Sequence, residues 1–363
     1  MEDMVSFWKD KKVFITGHTG FKGSWLAMWL KQLQAKVVGY SLEPPTETNL
    51  FTVARVAEGL VDIRGDIRDY SSLQKAITTH QPDIIFHLAA QSLVRYSYEE
   101  PVETYATNVM GTVHLLEAAR QIPNLKAIVN VTTDKCYENK ERSLGYREDE
   151  PMGGYDPYSS SKGCAELVSS AYRRSFFNEN GKVGLATARA GNVIGGGDWA
   201  KDRLIPDIIQ AHANKKVLTI RYPEAVRPWQ HVLEPLSGYL LLAKALYSQP
   251  DLYGEAWNFG PDDADAMPVS WVADEVLRLS GNQTTWQTAK TSQPHEAHFL
   301  KLDCSKARNK LNWQPQWHIR EALEQTVAWY QDYLHGKDMQ ATSLKQIEKY
   351  TNLNLTTKRG VSV

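Results

Sequence analysis

Residues 13–23 read VFITGHTGFKG, an apolar run followed at once by glycines at positions 17, 20 and 23. The apolar run predicts a buried β-strand, and residues 24–33 predict the helix that follows it. Glycines between such a strand and helix permit a tight turn, and they let backbone N–H groups approach a pyrophosphate at the positive end of the helix. The stretch therefore predicts a dinucleotide site formed by Gly17, Thr19, Gly20, Phe21, Lys22 and Gly23.

The alternation of apolar runs and amphipathic stretches continues outward from this turn to about Arg189. Apolar runs recur at 37–40, 84–88, 127–131 and 184–189, with helix-like stretches at 102–120 and 158–177. Continuous apolar strands separated by helices are typical of a parallel sheet covered on both faces, with right-handed crossovers. We therefore expect an α/β fold with a doubly wound parallel sheet of the Rossmann type, which binds ligands at the carboxyl ends of its strands.

The sequence changes character after Gly191, where a glycine run at 195–197 opens a loop and prolines become frequent. We predict a dinucleotide-binding domain over residues 1–190. A smaller C-terminal part over residues 191–350 should bind mainly the substrate, with some segments returning to the first domain. Residues 351–363 are expected to form a tail.

Composition excludes several classes of function. The 363 residues include 41 Lys and Arg against 42 Asp and Glu, and a formal net charge of -1 argues against a nucleic-acid partner. The apolar run 239–243 is too short to span a membrane, and the N-terminus shows no secretory signal. Three cysteines without a C-x-x-C pair predict neither a disulfide framework nor a cysteine zinc site, so no metal is expected. A cytoplasmic enzyme is the resulting expectation.

Two further stretches carry candidate catalytic residues. Tyr158 and Lys162 are four residues apart, so a phenol and an ammonium share one face of a predicted helix. A nearby ammonium favours the phenolate, which should lower the pKa of Tyr158 toward the working pH. The same lysine can hold the nicotinamide ribose hydroxyls. Upstream, the predicted strand 127–131 is followed directly by Thr132, Thr133, Asp134 and Lys135.

The spacing G-x-x-G-x-x-G, with Tyr158 and Lys162, resembles the extended branch of the short-chain dehydrogenase/reductase superfamily. Residues 189–195 (RAGNVIG), 202–206 (DRLIP) and 227–232 (RPWQHV) resemble segments of its nucleotide-sugar 4,6-dehydratases. An acid after the threonine, here Asp134, is typical of these dehydratases, whereas simple 4-epimerases of the branch carry small or apolar residues there. The thymidine-type dehydratases have Thr-Asp-Glu, so the basic Lys135 departs from their pattern.

This resemblance implies a reaction on a nucleotide sugar. Tyr158 would take the proton of the sugar 4-hydroxyl while hydride leaves C4 for NAD, and Thr133 would hydrogen-bond the same oxygen. Lys135 would then remove the C5 proton, and protonated Asp134 would help the 6-hydroxyl leave as water before hydride returns to C6. The residue sequences of segments 17–26, 195–199 and 227–231 resemble those of enzymes that act on cytidine diphosphate sugars. This resemblance implies CDP-glucose as substrate and CDP-4-keto-6-deoxy-D-glucose as product. Such a product is a precursor for the dideoxysugars of surface polysaccharide.

The resemblance also assigns the remaining site residues. Those on the cofactor are Ser41, Asp66, Ile67, Leu88, Ala89, Ala90 and Thr132, together with Tyr158 and Lys162. Those on the substrate are Asn192, Arg203, Leu204, Arg227, Trp199, Arg95 and Ser97. Among the latter, Asn192, Arg203 and Arg227 would bind the diphosphate, the task for which a planar guanidinium is best suited.

NAD is the expected cofactor despite one departure from the usual pattern. NAD-specific folds usually end the second strand with Asp or Glu, which accepts a hydrogen bond from the ribose, whereas this chain has Tyr40 and Ser41. No arginine near Ser41 in the sequence is poised for the 2′-phosphate of NADP, and Glu43 would repel one.

Two alternatives stay open beside this hypothesis. One is a relative of the same fold, either a nucleotide-sugar 4-epimerase, against which Asp134 and Lys135 argue, or a 4,6-dehydratase of another nucleotide-glucose. The other is a catalytically silent NAD-binding regulator, against which the intact Thr133, Tyr158 and Lys162 argue. The family resemblance further implies a homodimer joined by the helices at 102–120 and 158–177. Their apolar residues Val109, Val113, Leu116, Leu167 and Ala171 either form that interface or pack on the sheet.

Overall fold

A computed structural model describes residues 2–177, 183–213, 216–281, 285–289 and 299–359. The strands are Lys12–Thr16 (β1), Lys36–Ser41 (β2), Val61–Arg64 (β3), Ile84–His87 (β4), Ala127–Val131 (β5), Gly184–Arg189 (β6), Val193–Ile194 (β7), Leu218–Ile220 (β8), Val226–Pro228 (β9), Gln230–His231 (β10), Ala256–Asn258 (β11), Ala266–Pro268 (β12) and Trp286–Thr288 (β13). The α-helices are Glu2–Trp8 (α1), Phe21–Gln32 (α2), Leu50–Val53 (α3), Tyr70–His80 (α4), Val94–Glu99 (α5), Pro101–Tyr105 (α6), Gly111–Ala119 (α7), Pro157–Tyr172 (α8), Leu204–Ala213 (α9), Leu233–Ser248 (α10), Pro250–Tyr253 (α11), Val269–Leu279 (α12), Ser305–Leu311 (α13), Ile319–Leu334 (α14) and Met339–Arg359 (α15).

Seven parallel strands form the central sheet, in the spatial order β11-β6-β5-β4-β1-β2-β3. The chain starts in the middle at β1, moves outward to β3, and then returns past β1 to build the other half. The strand order therefore reverses between β1 and β4, where their carboxyl ends leave a crevice for a ligand. The predicted doubly wound parallel sheet is confirmed.

Alternate residues of each strand enter the two cores on opposite faces of the sheet. In β1, Val13 and Ile15 belong to the core that includes α2, α10 and α14. Phe14 between them belongs to the second core, which α4 and α7 cover together with the sheet. With the exception of the edge strand β3, the strands are buried on both faces, which explains why they are continuous apolar runs in the sequence.

The C-terminal half adds both a strand and a helical layer to this sheet. Strand β11 pairs in parallel with β6, and α10 packs against β5 and β6. The expected tail after residue 350 is instead helical as far as Arg359, because α15 is anchored by Tyr350, whose ring meets Trp29 of α2 at 5.6 Å. Within the described ranges, no helix is long and apolar enough to cross a membrane.

Candidate active site

A cavity of about 1910 Å³ runs along the carboxyl ends of the central strands. The predicted site residues that line it are Gly17, Thr19, Gly20, Phe21, Lys22, Gly23, Ser41, Asp66, Ile67, Leu88, Ala89, Ala90, Arg95, Thr132, Thr133, Asp134, Lys135, Tyr158, Lys162, Asn192, Trp199, Arg203, Leu204 and Arg227. The structure thus brings together residues from both halves of the chain. Ser97 is the exception among the predicted residues.

The glycine turn between β1 and α2 forms a cradle that side chains would fill. Gly17 has a φ of 78°, and a Cβ atom there would lie 2.7 Å from the backbone nitrogen of Ala89. A Cβ atom on Gly23 would lie 2.1 Å from the carbonyl oxygen of Gly17. Helix α2 begins at Phe21, so its free N–H groups face the cavity, as binding of a dinucleotide pyrophosphate requires. The residues present therefore fit a nicotinamide dinucleotide.

Lys22 extends from this turn toward the catalytic residues. Its burial, together with the positive charge of Arg203, lowers the pKa of Lys22 to about 7, although Asp134 acts in the opposite direction. The ammonium also lies 6.0 Å from the ring centre of Tyr239 in α10. The turn therefore contributes a titratable cation to the cavity as well as backbone donors.

An arginine lies close to Ser41 in the folded chain, although the two residues are far apart in the sequence. Arg64 in β3 pairs in register with Ser41 in β2, but it is not among the residues that line the cavity, so it does not contradict the expectation that no arginine is poised for a 2′-phosphate. Its guanidinium donates to the carbonyl oxygen of Leu42 at 3.2 Å and to Asp62 at 3.0 Å, and it lies 3.6 Å from Glu43. Two carboxylates therefore already engage this cation. Ser41 itself shares a hydrogen bond of 2.8 Å with Thr19.

The predicted catalytic residues meet at the end of β5. Asp156 caps α8 by accepting from the backbone N–H of Ser159 at 2.9 Å, and the first turns of α8 carry Tyr158 and Lys162 inward. The Thr133 hydroxyl lies near enough to the Tyr158 phenol to lower its pKa. Lys162 donates from Nζ to the carbonyl oxygen of Val131 at 3.2 Å. A hydroxyl, a phenol and an ammonium therefore converge beside the cofactor cradle.

Burial dominates the protonation of the Tyr158–Lys162 pair. It raises the pKa of Tyr158 to about 12, although the nearby Thr133 hydroxyl acts in the opposite direction. Burial also lowers the pKa of Lys162 to about 8, against the attraction of Glu166. The predicted fall in the pKa of Tyr158 is therefore wrong for the chain itself, because desolvation of the phenolate outweighs the effects of Thr133 and of the Arg203 charge.

A buried ion pair below these residues was not predicted from the sequence. Glu166 lies one turn after Lys162 in α8 and accepts from both sides of the Arg189 guanidinium at 2.8 and 2.9 Å. It also accepts from the hydroxyl groups of Thr132 at 2.5 Å and Thr187 at 2.7 Å. Burial alone would raise the pKa of Glu166. The charge of Arg189 and these hydrogen bonds nevertheless hold that pKa below its usual range.

This network fixes the ends of β5 and β6 to the catalytic helix. Removing one partner of a buried ion pair costs about 3–5 kcal/mol, since the other charge is left unpaired. The signal available in the sequence was the position of Glu166, which shares the helix face of Tyr158 and Lys162.

Asp134 and Lys135 follow Thr133 in a short 3₁₀ turn, Asp134–Cys136. The Asp134 side chain is 1% exposed, and its Oδ1 accepts from the Thr133 hydroxyl at 2.9 Å. Its Oδ2 is buried with no hydrogen-bond partner among the described residues. Lys135 is half-buried and also lines the cavity. An acid and a lysine that are adjacent in sequence therefore line the cavity that Tyr158 also lines.

The opposite wall of the cavity is rich in arginine. Arg203 pairs with Asp198 at 2.7 Å and reaches Ser92 at 3.3 Å, while Arg95 pairs with Asp202 at 3.3 Å. Arg227 is buried at the end of the cavity that β9 forms. Such a cluster of guanidinium groups is suited to a diphosphate.

Two predicted wall residues have backbone or packing features of their own. Asn192 adopts a φ of 41°, a left-handed conformation that asparagine tolerates better than most residues. Trp199 packs edge-on against Trp329, Tyr330 and Tyr333 of α14 while lining the cavity. The wall is therefore braced by the C-terminal half.

One sequence assignment is wrong, and one alternative that the sequence left open is decided. Ser97 does not line the cavity: it is fully buried, donates to the carbonyl oxygen of Val94 at 2.6 Å and accepts from the backbone N–H of Tyr158 at 3.1 Å. It therefore anchors the start of α8 and does not contact a sugar hydroxyl. Leu116, considered for a dimer interface, is fully buried in the core beneath α7.

Comparison with known proteins shows similarity along almost the whole chain. The family model described as GDP-mannose 4,6 dehydratase matches residues 14–326. A CDP-glucose 4,6-dehydratase of Salmonella typhimurium is 55% identical over 349 residues, which cover 95% of this chain and 97% of that protein.

Solved structures show the same fold. A dTDP-glucose 4,6-dehydratase of Bacillus anthracis in complex with NAD is 24% identical, with a TM-score of 0.75 over 91% of this chain and 99% of that one. A UDP-glucuronic acid 4-epimerase of Bacillus cereus in complex with UDP-glucuronic acid and NAD is 25% identical, with a TM-score of 0.76 over 89% of this chain and 99% of that one.

Proposed function

The chain belongs to the GDP-mannose 4,6 dehydratase family, and from this membership we propose that it is an NAD-dependent lyase that converts CDP-D-glucose into CDP-4-keto-6-deoxy-D-glucose. The observation that carries the proposal is the buried Asp134 beside Thr133 and Tyr158 in one cavity. Oxidation at C4 needs the phenol and the hydroxyl, but only loss of water from C5 and C6 needs an additional acid. The similarity to the Salmonella typhimurium protein favours the cytidine nucleotide.

The residues of this chain divide the reaction between them. When bound in the glycine cradle, NAD supplies a hydride acceptor and later a hydride donor, so the overall reaction has no net redox change. Lys162 holds the nicotinamide ribose, and Tyr158 takes the proton of the 4-hydroxyl with Thr133 hydrogen-bonded to the same oxygen. The phenolate that does this must form within the complex, since burial keeps the pKa of Tyr158 high in the chain alone.

Elimination follows once C4 is a ketone, which acidifies the C5 hydrogen. Lys135 removes that proton, the C6–O bond breaks, and Asp134 gives its proton to the departing hydroxyl, which leaves as water. C6 then receives the hydride taken from C4, and C5 regains a proton, which gives the 6-deoxy product. Asn192, Arg203 and Arg227 hold the diphosphate, and residues 191–350 supply most of the substrate wall. These assignments are supported by the position of every named residue on the cavity.

The test is an assay with CDP-, dTDP-, UDP- and GDP-sugars, read by the alkali absorbance of 4-keto-6-deoxy sugars. We expect colour with CDP-glucose and at least tenfold less with the other nucleotides, a difference of about 1.4 kcal/mol. Tyr158→Phe serves as the inactive control. A 4-epimerase would form CDP-galactose without colour, and absence of colour with every nucleotide-glucose would refute the dehydratase proposal.

We also propose that the protein is a cytoplasmic homodimer. Helix α6 packs against α8, and the outer surface of this part of the molecule exposes Val102 (79%), Leu167 (62%) and Met110 (46%). Large apolar side chains exposed on neighbouring elements favour an interface in this part of the molecule. The cysteines Cys136, Cys164 and Cys304 are free, which fits a reducing compartment.

A further inference from the structure

Gly191 lies at the end of β6, immediately beside the Asp134 carboxyl group at the end of β5. A Cβ atom on Gly191 would lie 1.8 Å from Oδ2 of Asp134, 2.3 Å from its Cγ and 2.7 Å from its Oδ1. All three distances are far shorter than van der Waals contact. The carboxyl group of Asp134 therefore occupies the space that a side chain at position 191 would need.

The backbone does not explain the glycine. Unlike Gly17 and Gly197, Gly191 does not adopt a positive φ, so its conformation is open to alanine. Nor can the segment easily retreat, because its carbonyl oxygen accepts from Nε2 of Gln230 at 3.2 Å and the preceding Arg189 carbonyl accepts from the N–H of Phe259 at 2.8 Å. The requirement for glycine comes from the neighbouring acid.

Asp134 has few other interactions to hold it in place. Oδ1 accepts from Thr133, whereas Oδ2, the oxygen closest to Gly191, is buried and has no partner within the described part of the chain. Since buried polar atoms are nearly always satisfied, this oxygen is available for a hydrogen bond with the substrate. The orientation of the Asp134 carboxyl group therefore depends on the space that the missing side chain of Gly191 leaves open.

We propose that Gly191 is a positioning residue for the elimination step: its missing side chain allows Asp134 to reach the leaving hydroxyl. The proposal rests on the proposed function of Asp134 as the acid. A side chain at 191 would rotate the carboxyl group out of its position while Tyr158, Thr133 and Lys162 stay in place. Oxidation at C4 would then continue, and loss of water would fail.

The test is Gly191→Ala with CDP-glucose, in which NADH absorbance in a single turnover reports C4 oxidation and alkali absorbance reports the product. We expect C4 oxidation within about threefold of the parent and product formation lower by about 100-fold, the usual contribution of a general acid. Gly260→Ala is the matched control, since it makes the same change after β11, where the nearest atom is the Cys304 Sγ at 3.3 Å. That control should leave both signals unchanged.

A double-mutant cycle covers the case in which Gly191→Ala folds poorly. In the Asp134→Ala background the clashing carboxyl group is gone, so Gly191→Ala should cause no further fall in melting temperature or product formation. An equal fall in melting temperature in both backgrounds, or parental product formation by Gly191→Ala, would overturn the proposal. If the parent itself forms no 4-keto-6-deoxy sugar, the proposed function fails, while the melting-temperature cycle still tests the contact between the two residues.

Discussion

Lys135 can be separated from Tyr158 by the step in which each acts. Lys135→Met keeps the apolar bulk of the side chain and removes the base. We expect this variant to oxidise C4, so that NADH absorbance develops in a single turnover, and then to stall with product formation lower by about 100-fold. Solvent deuterium should scarcely enter C5.

Tyr158→Phe is the contrasting variant, because it should block the first oxidation and give no NADH signal. If Lys135 only balances local charge, a water molecule or another residue removes the C5 proton. Deuterium incorporation at the parental rate in Lys135→Met would therefore contradict its assignment as the base and leave the dehydratase function intact.

Residues that act through a local motif were predictable, and residues that act through the sheet were not. The glycine turn and the Tyr158–Lys162 pair are each encoded within a few residues. Arg64 approaches Ser41 only because β2 and β3 pair in register. Ser97 looked like a wall residue by its place in the chain, but its hydroxyl is consumed by the backbone of α5 and α8. Such tertiary contacts leave no local trace in the sequence.

Three C-terminal elements converge on one buried carboxyl group, that of Glu234 in α10. It accepts from the Tyr350 hydroxyl of α15 at 2.6 Å and from the backbone N–H groups of Gln316 and Trp317, at 3.0 and 2.8 Å, ahead of α14. Burial, helped by the charge of Asp265, raises the pKa of Glu234 to about 7 from its usual 4.5, although these hydrogen bonds oppose the shift.

The folded state therefore binds this proton more tightly than the unfolded state does. Between pH 4.5 and about 7 the contribution of Glu234 to the free energy of unfolding should fall as pH rises. Above that window the buried carboxyl group is ionised, and the whole of this contribution is lost. Glu234→Gln should remove this dependence. The melting temperature of the variant relative to that of the parent should therefore be higher at pH 8 than at pH 5, by several degrees. Glu348→Gln, an exposed change on α15, is the control, and parallel curves for Glu234→Gln and the parent would refute the assignment.

Long elements with a regular apolar pattern were predictable, and short or late ones were not. Strand β6 has the predicted bounds Gly184–Arg189, because a continuous apolar run marks a strand buried on both faces. The helix α15 was missed after residue 350, since its surface is largely polar and its anchoring depends on rings of α2 and the 312–318 segment. Two-residue strands such as β7 and β10 exist only through their mutual pairing.

At the scale of the whole molecule, the exposed apolar surface of α6 and α8 predicts the state of association. Sedimentation at micromolar concentration should give twice the chain mass of 41.1 kDa. Leu167→Glu should shift the equilibrium toward the monomer by at least about tenfold, because a buried unpaired charge costs more than 1.4 kcal/mol. Leu252→Glu is the control, because it changes an exposed leucine of α11 and should not shift the equilibrium toward the monomer. A mass of 41.1 kDa throughout the concentration range would contradict the homodimer.

The two parts of the chain expected from the sequence are interleaved in the folded molecule. β11 extends the sheet begun by the first 190 residues, and α10 covers β5 and β6. The sequence predicted a change of character near residue 191 and the return of some later segments, but not which segment returns, because that depends on which sheet edge the later strand joins.

The contact between Trp29 and Tyr350 can form only late in synthesis on the ribosome, because Tyr350 is made long after Trp29. About 320 residues separate the two rings, and translation at about 5–20 residues per second makes the delay between them tens of seconds. For that time the apolar face of α2, with Trp25 and Trp29, has no final cover.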